Sequence, residues 1–321
     1  MRKAFKVIGI IVVLIIVVVG SFALFVNFRS MPVYKPGNIT VKVESSPERI
    51  ARGKKLASML CKSCHYNEQT GKFTGRLISE APQFGEIYSA NITNDPVAGI
   101  RNLTDGQLIY FIRTGIKPDG EYVPPYMPKL VHIADEELYS IIAYLRSGDP
   151  YVQPDNTRAP KTVQSFLTKF LVTIKAMGPF DYPKESISLP DTTNQVAWGK
   201  YIALYEYECY SCHSKDFAKN DYEVPEKSSG FFGGGNKMKQ MDGTDISTLN
   251  LTPDKETGIG NWSEDDFIKA VKTGIVPNGL AALRYPMIPY IGLTDSELKA
   301  IFAYIKTVPP ITNNVERKFA D

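Results

Sequence analysis

Every cysteine of this 321-residue chain lies in one of two copies of a pentapeptide, Cys61-Lys62-Ser63-Cys64-His65 and Cys209-Tyr210-Ser211-Cys212-His213. The same two copies hold two of its three histidines. Any fold must serve a chemistry that uses those positions. A disulfide across two intervening residues is strained and reducible, and belongs to redox enzymes of the thioredoxin type in a βαβ setting. Strand patterns are scarce around both motifs. A four-cysteine zinc site joins pairs about 15–20 residues apart. Here the second pair begins only at Cys209, and a zinc site leaves the adjacent histidines unused. Covalent haem attachment uses all the fixed positions: two thiols add across the haem vinyl groups and the next histidine becomes the proximal iron ligand. The motifs therefore predict two covalently attached haem c groups, one on Cys61, Cys64 and His65, the other on Cys209, Cys212 and His213.

An internal repeat points to the second iron ligands. Residues 89–100, SANITNDPVAGI, match 248–259, TLNLTPDKETGI, and residues 111–120, FIRTGIKPDG, match 270–279, AVKTGIVPNG, both at an offset of 159. From Met127 and Met287 onward, MPKLVHIADEELYSIIAYL matches MIPYIGLTDSELKAIFAYI at an offset of 160. The pentapeptides are only 148 apart, so the second repeat has 11 extra residues between its motif and Asn250, in the loop that includes GFFGGGNK. Of the eight methionines, Met127 and Met287 occupy equivalent places, each in a proline loop ahead of a helix. A thioether there would saturate the iron and raise its potential, so the expected metal ligands are His65, Met127, His213 and Met287. Met59, Met238 and Met241 are the competing methionines. His132, the one spare histidine, is the alternative iron ligand in place of Met127; with Gly292 as its counterpart it reads rather as an exposed or hydrogen-bonded surface residue.

The segments around these positions read as short helices, giving a mainly α chain. Ser46-Pro47-Glu48 is a helix start, with a capping serine, a proline at the first helical position and an acid at the positive end of the dipole. Thr104 with Gln107 and Thr294 with Glu297 fit capping boxes, and Gly115 and Gly274 fit helix stops. Leu138, Ile141, Ile142 and Leu145, then Leu298, Ile301, Phe302 and Ile305, each form one apolar face. The expected organisation is an anchor at 1–29, a haem domain at 30–150, a linker at 151–190 and a second haem domain at 191–321. Within the linker, Val163, Phe166, Leu167, Phe170, Leu171 and Ile174 form a helical stripe, expected to pack against the two domains or to dock on a partner or membrane surface.

Val7 to Val26 is a run of twenty residues without a charge, preceded by Arg2, Lys3 and Lys6. A helix of that length spans about 30 Å, the hydrocarbon thickness of a bilayer. The basic flank favours a cytoplasmic N-terminus and an exported body. The apolar core of a cleaved signal peptide is shorter, about 7–15 residues. The expectation is a retained single-pass anchor, contacting membrane lipid through Val7–Val26, with the haem domains on the periplasmic side of a bacterial cytoplasmic membrane. The formal charge of +3 calls for no nucleic acid.

The segments 250–275, NLTPDKETGIGNWSEDDFIKAVKTGI, 285–290, YPMIPY, and 293–305, LTDSELKAIFAYI, with weaker versions in the first repeat, resemble class I-type cytochrome c modules. They are most similar to the cytochrome c subunits of membrane-bound bacterial dehydrogenases of the alcohol and gluconate type. The anchored two-haem layout is also similar to the dihaem subunit of cbb3-type oxidases. The resemblance implies two tandem cytochrome c-like helical haem domains behind an N-terminal transmembrane helix. It implies that Cys61, Cys64, His65 and Met127 serve one haem, and Cys209, Cys212, His213 and Met287 the other. The implied function is single-electron transfer between respiratory partners: a dehydrogenase, a quinol-oxidising complex or a terminal oxidase. The alternative is a dihaem redox enzyme. A peroxidase would need an iron with an openable face, and a dihaem thiosulfate dehydrogenase would be expected to use a distal cysteine.

Overall fold

The computed structural model describes residues 2–240, 243–277, 279 and 282–316. It is mainly helical, with two antiparallel strand pairs among the described residues. The chain divides into two compact units. One runs through Val131 and resumes over Leu138–Lys184; the other takes His132–Glu137 and the described residues from Glu185 onward.

In the first unit the apolar run forms α1 (Arg2–Phe28). Ser46 caps α2 (Pro47–Leu60) by accepting from Arg49 N–H, with Pro47 in the first turn. The first pentapeptide continues as α3 (Lys62–His65). A short strand β1 (Gly85–Glu86) precedes α4 (Asp105–Thr114), which starts in the Thr104–Gln107 capping box and stops at left-handed Gly115. The last helix of the repeat is α5 (Asp135–Leu145). Leu138, Ile141, Ile142 and Leu145 are all buried along it, as their spacing predicts.

The linker stripe breaks in two. Val163 and Gln164 form β2, with Gly85 opposite Gln164, and only then does Ser165 cap α6 (Phe166–Thr173). Ser165 is the reason: its hydroxyl accepts from Thr168 N–H, which fixes the helix start three residues later than the apolar period suggests. Residues 151–184 fall within the first unit.

The second unit opens with α7 (Gln195–Tyr201), which continues as a π-helical segment, Ile202–Glu206. The second pentapeptide is α8 (Cys209–His213). Strands β3 (Lys237–Lys239) and β4 (Asp245–Ser247) pair with Met238 opposite Ile246. Then come α9 (Glu264–Thr273), capped by Ser263 and ended by left-handed Gly274, and α10 (Asp295–Ile305), started by the Thr294–Glu297 box. Leu298, Ile301 and Ile305 are buried.

The same close helix approach occurs in each unit. A Cβ on Gly53 of α2 would lie 1.8 Å from the Ser140 carbonyl oxygen on α5, and one on Gly199 of α7 would lie 1.8 Å from that of Ala300 on α10. Glycine is what lets the helix ahead of each motif touch the backbone of the last helix of its repeat.

Candidate haem-binding sites

His65 is 8% exposed and His213 9%. In each, Nδ1 donates to a backbone carbonyl: His65 to Ala90 at 2.7 Å, His213 to Leu249 at 2.8 Å. The acceptors are themselves 159 residues apart, so they are equivalent positions of the repeat. A carbonyl only accepts, so the proton sits on Nδ1 and Nε2 keeps its lone pair. Burial pulls both imidazoles below their ordinary pKa, against the opposing pull of the carbonyl bond. Both rings are therefore neutral near pH 7, as a metal ligand must be.

The neighbouring asparagine holds each of these carbonyls in place. Asn91 and Asn250 are buried, and the side-chain oxygen of each accepts from the backbone N–H and hydroxyl of a threonine two residues on, Thr93 or Thr252. The Asn91 amide donates to the carbonyls of Asp155 and Thr157, and that of Asn250 to Thr257 Oγ1 and the Ile311 carbonyl. The histidine's own carbonyl is also matched, accepting from Gly75 N–H at 2.9 Å and from Gly234 N–H at 2.7 Å. Both glycines have positive φ, 87° and 69°, and a Cβ would lie 2.1 Å from Ser89 O or 2.5 Å from Thr248 O. This pairing places the 11 extra residues of the second unit between His213 and Gly234.

All four cysteines are free thiols. Burial, reinforced by the neighbouring thiol of the same motif, pushes Cys61 and Cys209 up to about 12, so both are protonated before any attachment. Among the described residues no group of three or more His, Cys, Asp or Glu side chains converges as a metal site. Two free thiols next to a buried neutral imidazole with an available Nε2 fit a c-type haem.

Met127 and Met287 sit half-buried in matching turns. Met127 N–H donates to Pro124 O at 3.2 Å, and Met287 N–H to Arg284 O at 2.9 Å. Each loop is tied to the preceding helix by equivalent bonds: Val123 to Gly115 and Leu130 to Ile112 in the first unit, Leu283 to Gly274 and Tyr290 to Val271 in the second. The one-residue insertion of the second repeat therefore lies between Gly274 and Leu283. Met59 is on α2 and Met238 in β3, positions without a matching methionine in the other repeat; Met241 lies outside the described residues. His132 is half-buried, its Nε2 3.1 Å from Tyr222 O and its ring 5.4 Å from that of Tyr205.

Lys129 in the first Met loop carries no signal in the sequence. It is buried, and its ammonium donates to the carbonyls of Met127 and Pro124. Pro289 stands in its place in the second unit. The asparagines are visible in the sequence only as part of the repeated segments, with no role attached.

The chain is also similar to known proteins. The sequence profile of the cytochrome c family matches residues 50–149. The chain is 29% identical over 262 residues to the cytochrome c subunit of a quinone alcohol dehydrogenase from Gluconacetobacter polyoxogenes, covering 78% of this chain and 54% of that protein. It is 30% identical over 277 residues to the cytochrome subunit of fructose dehydrogenase from Gluconobacter japonicus, covering 81% and 52%. It thus spans about half the length of these two relatives. A diheme cytochrome c-type protein of Cereibacter sphaeroides is 25% identical over 293 residues, covering 85% and 93%. Residues 50–149 are a cytochrome c domain that implies covalent haem c, and the chain as a whole resembles the cytochrome subunits of dehydrogenases.

Proposed function

We propose that the chain is a membrane-anchored dihaem cytochrome c that passes single electrons between respiratory partners on the outer face of a bacterial cytoplasmic membrane. The observation that carries this reading is the pair of buried histidines, each held by Nδ1 on an equivalent carbonyl with Nε2 left free. When bound, haem supplies each site with a one-electron iron couple. The protein does the rest. Cys61 and Cys64, and Cys209 and Cys212, tether the ring. The Nδ1 bond sets the orientation of His65 and His213 and strengthens Nε2 as a ligand. Met127 and Met287 would supply a thioether to each iron, which would favour the reduced state and leave no place on the iron for a small substrate.

Anchoring rests on α1. Its 27 residues rise about 40 Å at 1.5 Å per residue. Its apolar window has a mean hydropathy of 3.2, with none of that window buried by the rest of the chain. The partners proposed are a dehydrogenase, a quinol-oxidising complex or a terminal oxidase, in keeping with relatives that are cytochrome subunits of dehydrogenases.

Carbon monoxide binding to the reduced protein tests the ligand set. The native chain is expected not to bind it rapidly at either iron, and Met287→Ala is expected to open one. Met287→His should keep that iron closed while lowering its potential and leaving the other unchanged. Rapid binding by the native protein would mean an open iron and would favour an enzyme over a carrier.

A further inference from the structure

We propose that α6 lies in the headgroup–acyl boundary of the membrane that α1 enters, so that two elements hold the first unit against the bilayer. This rests on the reading of α1 as a membrane span. The starting observation is that the side α6 buries is not its apolar side. Thr168 and Val172 face inward, and Thr168 Oγ1 donates to the Phe84 carbonyl at 2.7 Å. Phe166, Leu167 and Ile174 are left 46%, 40% and 49% exposed, with Phe170 and Leu171 half-buried between them.

The neighbour of that face identifies its occupant. Phe166 stacks on Phe170 with centroids 6.2 Å apart, and Phe170 meets Phe22 of α1 edge-on at 6.3 Å. Phe22 belongs to the uncharged run that ends at Val26, so the aromatic row begins on the part of α1 that hydrocarbon would surround. At the other side, Lys169 Nζ donates to Asn27 O at 2.7 Å, and Arg29 donates to Thr173 Oγ1 at 3.2 Å. From Phe22 to Arg29 the helix axis rises about 10 Å. That matches the depth of about 5–10 Å over which an interfacial helix sits. Charge agrees: residues 156–180 carry Arg158, Lys161, Lys169 and Lys175 and no acid. Such a cationic stretch favours anionic headgroups. Lipid satisfies both the apolar face and the basic surround, whereas a protein partner would need acids to meet the lysines and a second apolar face to meet the phenylalanines.

Spin-label depth measurements on the full-length haem-loaded protein in phosphatidylethanolamine–phosphatidylglycerol vesicles test this. Nitroxides are placed one at a time through Phe166→Cys, Leu167→Cys and Ile174→Cys, with Val13→Cys as the reference inside α1 and Val97→Cys as the aqueous reference. Collision with oxygen and with a water-soluble nickel chelate is read by power saturation. The labels on α6 are expected to favour oxygen over nickel several-fold more than the label at 97, and less than the label at 13. Labels on α6 that match 97 while 13 reads hydrocarbon would overturn the proposal and leave the anchor standing. Shielding of the α6 labels from both reagents would mean that a second copy covers the face, which also overturns it. An aqueous reading at 13 would remove the anchor and this inference with it.

Discussion

In the first unit α2 runs unbroken to Leu60 and delivers Cys61 eight residues after the contact glycine Gly53; in the second, ten residues separate Gly199 from Cys209. Two extra residues of α-helix would turn the motif by about 200° and face it away from the last helix. The second unit absorbs them in the π-helical segment Ile202–Glu206, with Glu208 beyond it at φ 47°. Past that detour the two units agree again: histidine Nδ1 on the carbonyl before a buried asparagine, the histidine carbonyl on a glycine N–H, and methionine in a matched turn. The approach to the motif therefore varies, while the frame around the histidine does not. The Met loops and the helices before them differ in charge as well. Lys129 clamps the first Met turn, where the second has Pro289, and Arg113 is fully buried with its guanidinium on the Val131 carbonyl, where the second has half-exposed Lys272 paired with Asp295.

The largest effect should come from the contact glycines. Gly53→Ala and Gly199→Ala each push a methyl group into a backbone carbonyl that cannot retreat as a side chain would. Each is expected to destabilise its own unit by about 1–3 kcal/mol or more, read as separate thermal transitions. A π-helical segment just beyond Gly199 gives the second unit more room to adjust, so Gly199→Ala should cost less; a larger cost there would break the comparison. Next come Asn91→Ala and Asn250→Ala, each removing the side-chain oxygen that accepts from a buried threonine's N–H, at about 1–3 kcal/mol. If the shared frame matters equally in both units, the two should agree closely, and a several-fold difference in unfolding equilibrium beyond that would show that one frame is supported elsewhere. The smallest effect is specific to the first unit. Burial alone would raise the Asp149 carboxyl, but hydrogen bonds from Lys54, Tyr151 N–H and Tyr144 outweigh it and hold the pKa below the ordinary value. Its contribution is therefore present above the unfolded carboxylate range and is lost as pH falls through the lower folded value. Asp149→Asn should remove about 1 kcal/mol of acid-sensitive stability from the first unit, measured as urea midpoints from pH 7 down to pH 3, and leave the second unchanged.

The motifs, the helix caps and the apolar faces were legible because each is written in side chains at short spacing. Ser46, Thr104 and Thr294 cap as their sequence contexts predict, and Leu138 to Leu145 is buried as its period requires. The acceptors of the histidine bonds were not legible, because Ala90 and Leu249 act through their backbone and any residue has a carbonyl. The detour before Cys209 was hidden for a related reason: a π-turn has no composition of its own, and only the position of Gly199 against Ala300 reveals the extra residues. Val163 was misplaced on a helix because an apolar residue fits the stripe equally well as a strand residue, and Ser165 decided between them. Lys129 reads as an ordinary loop cation until the fold closes over it.

The central claim is that one haem-binding frame is built twice in this chain. Intact mass spectrometry of the denatured full-length protein, expressed with the haem attachment machinery, tests it most directly. The account predicts the chain mass plus two covalent haems, falling to one in Cys61→Ala/Cys64→Ala and to one in Cys209→Ala/Cys212→Ala. A native protein that carries a single haem, or whose haem count is unchanged by either pair of substitutions, would contradict it.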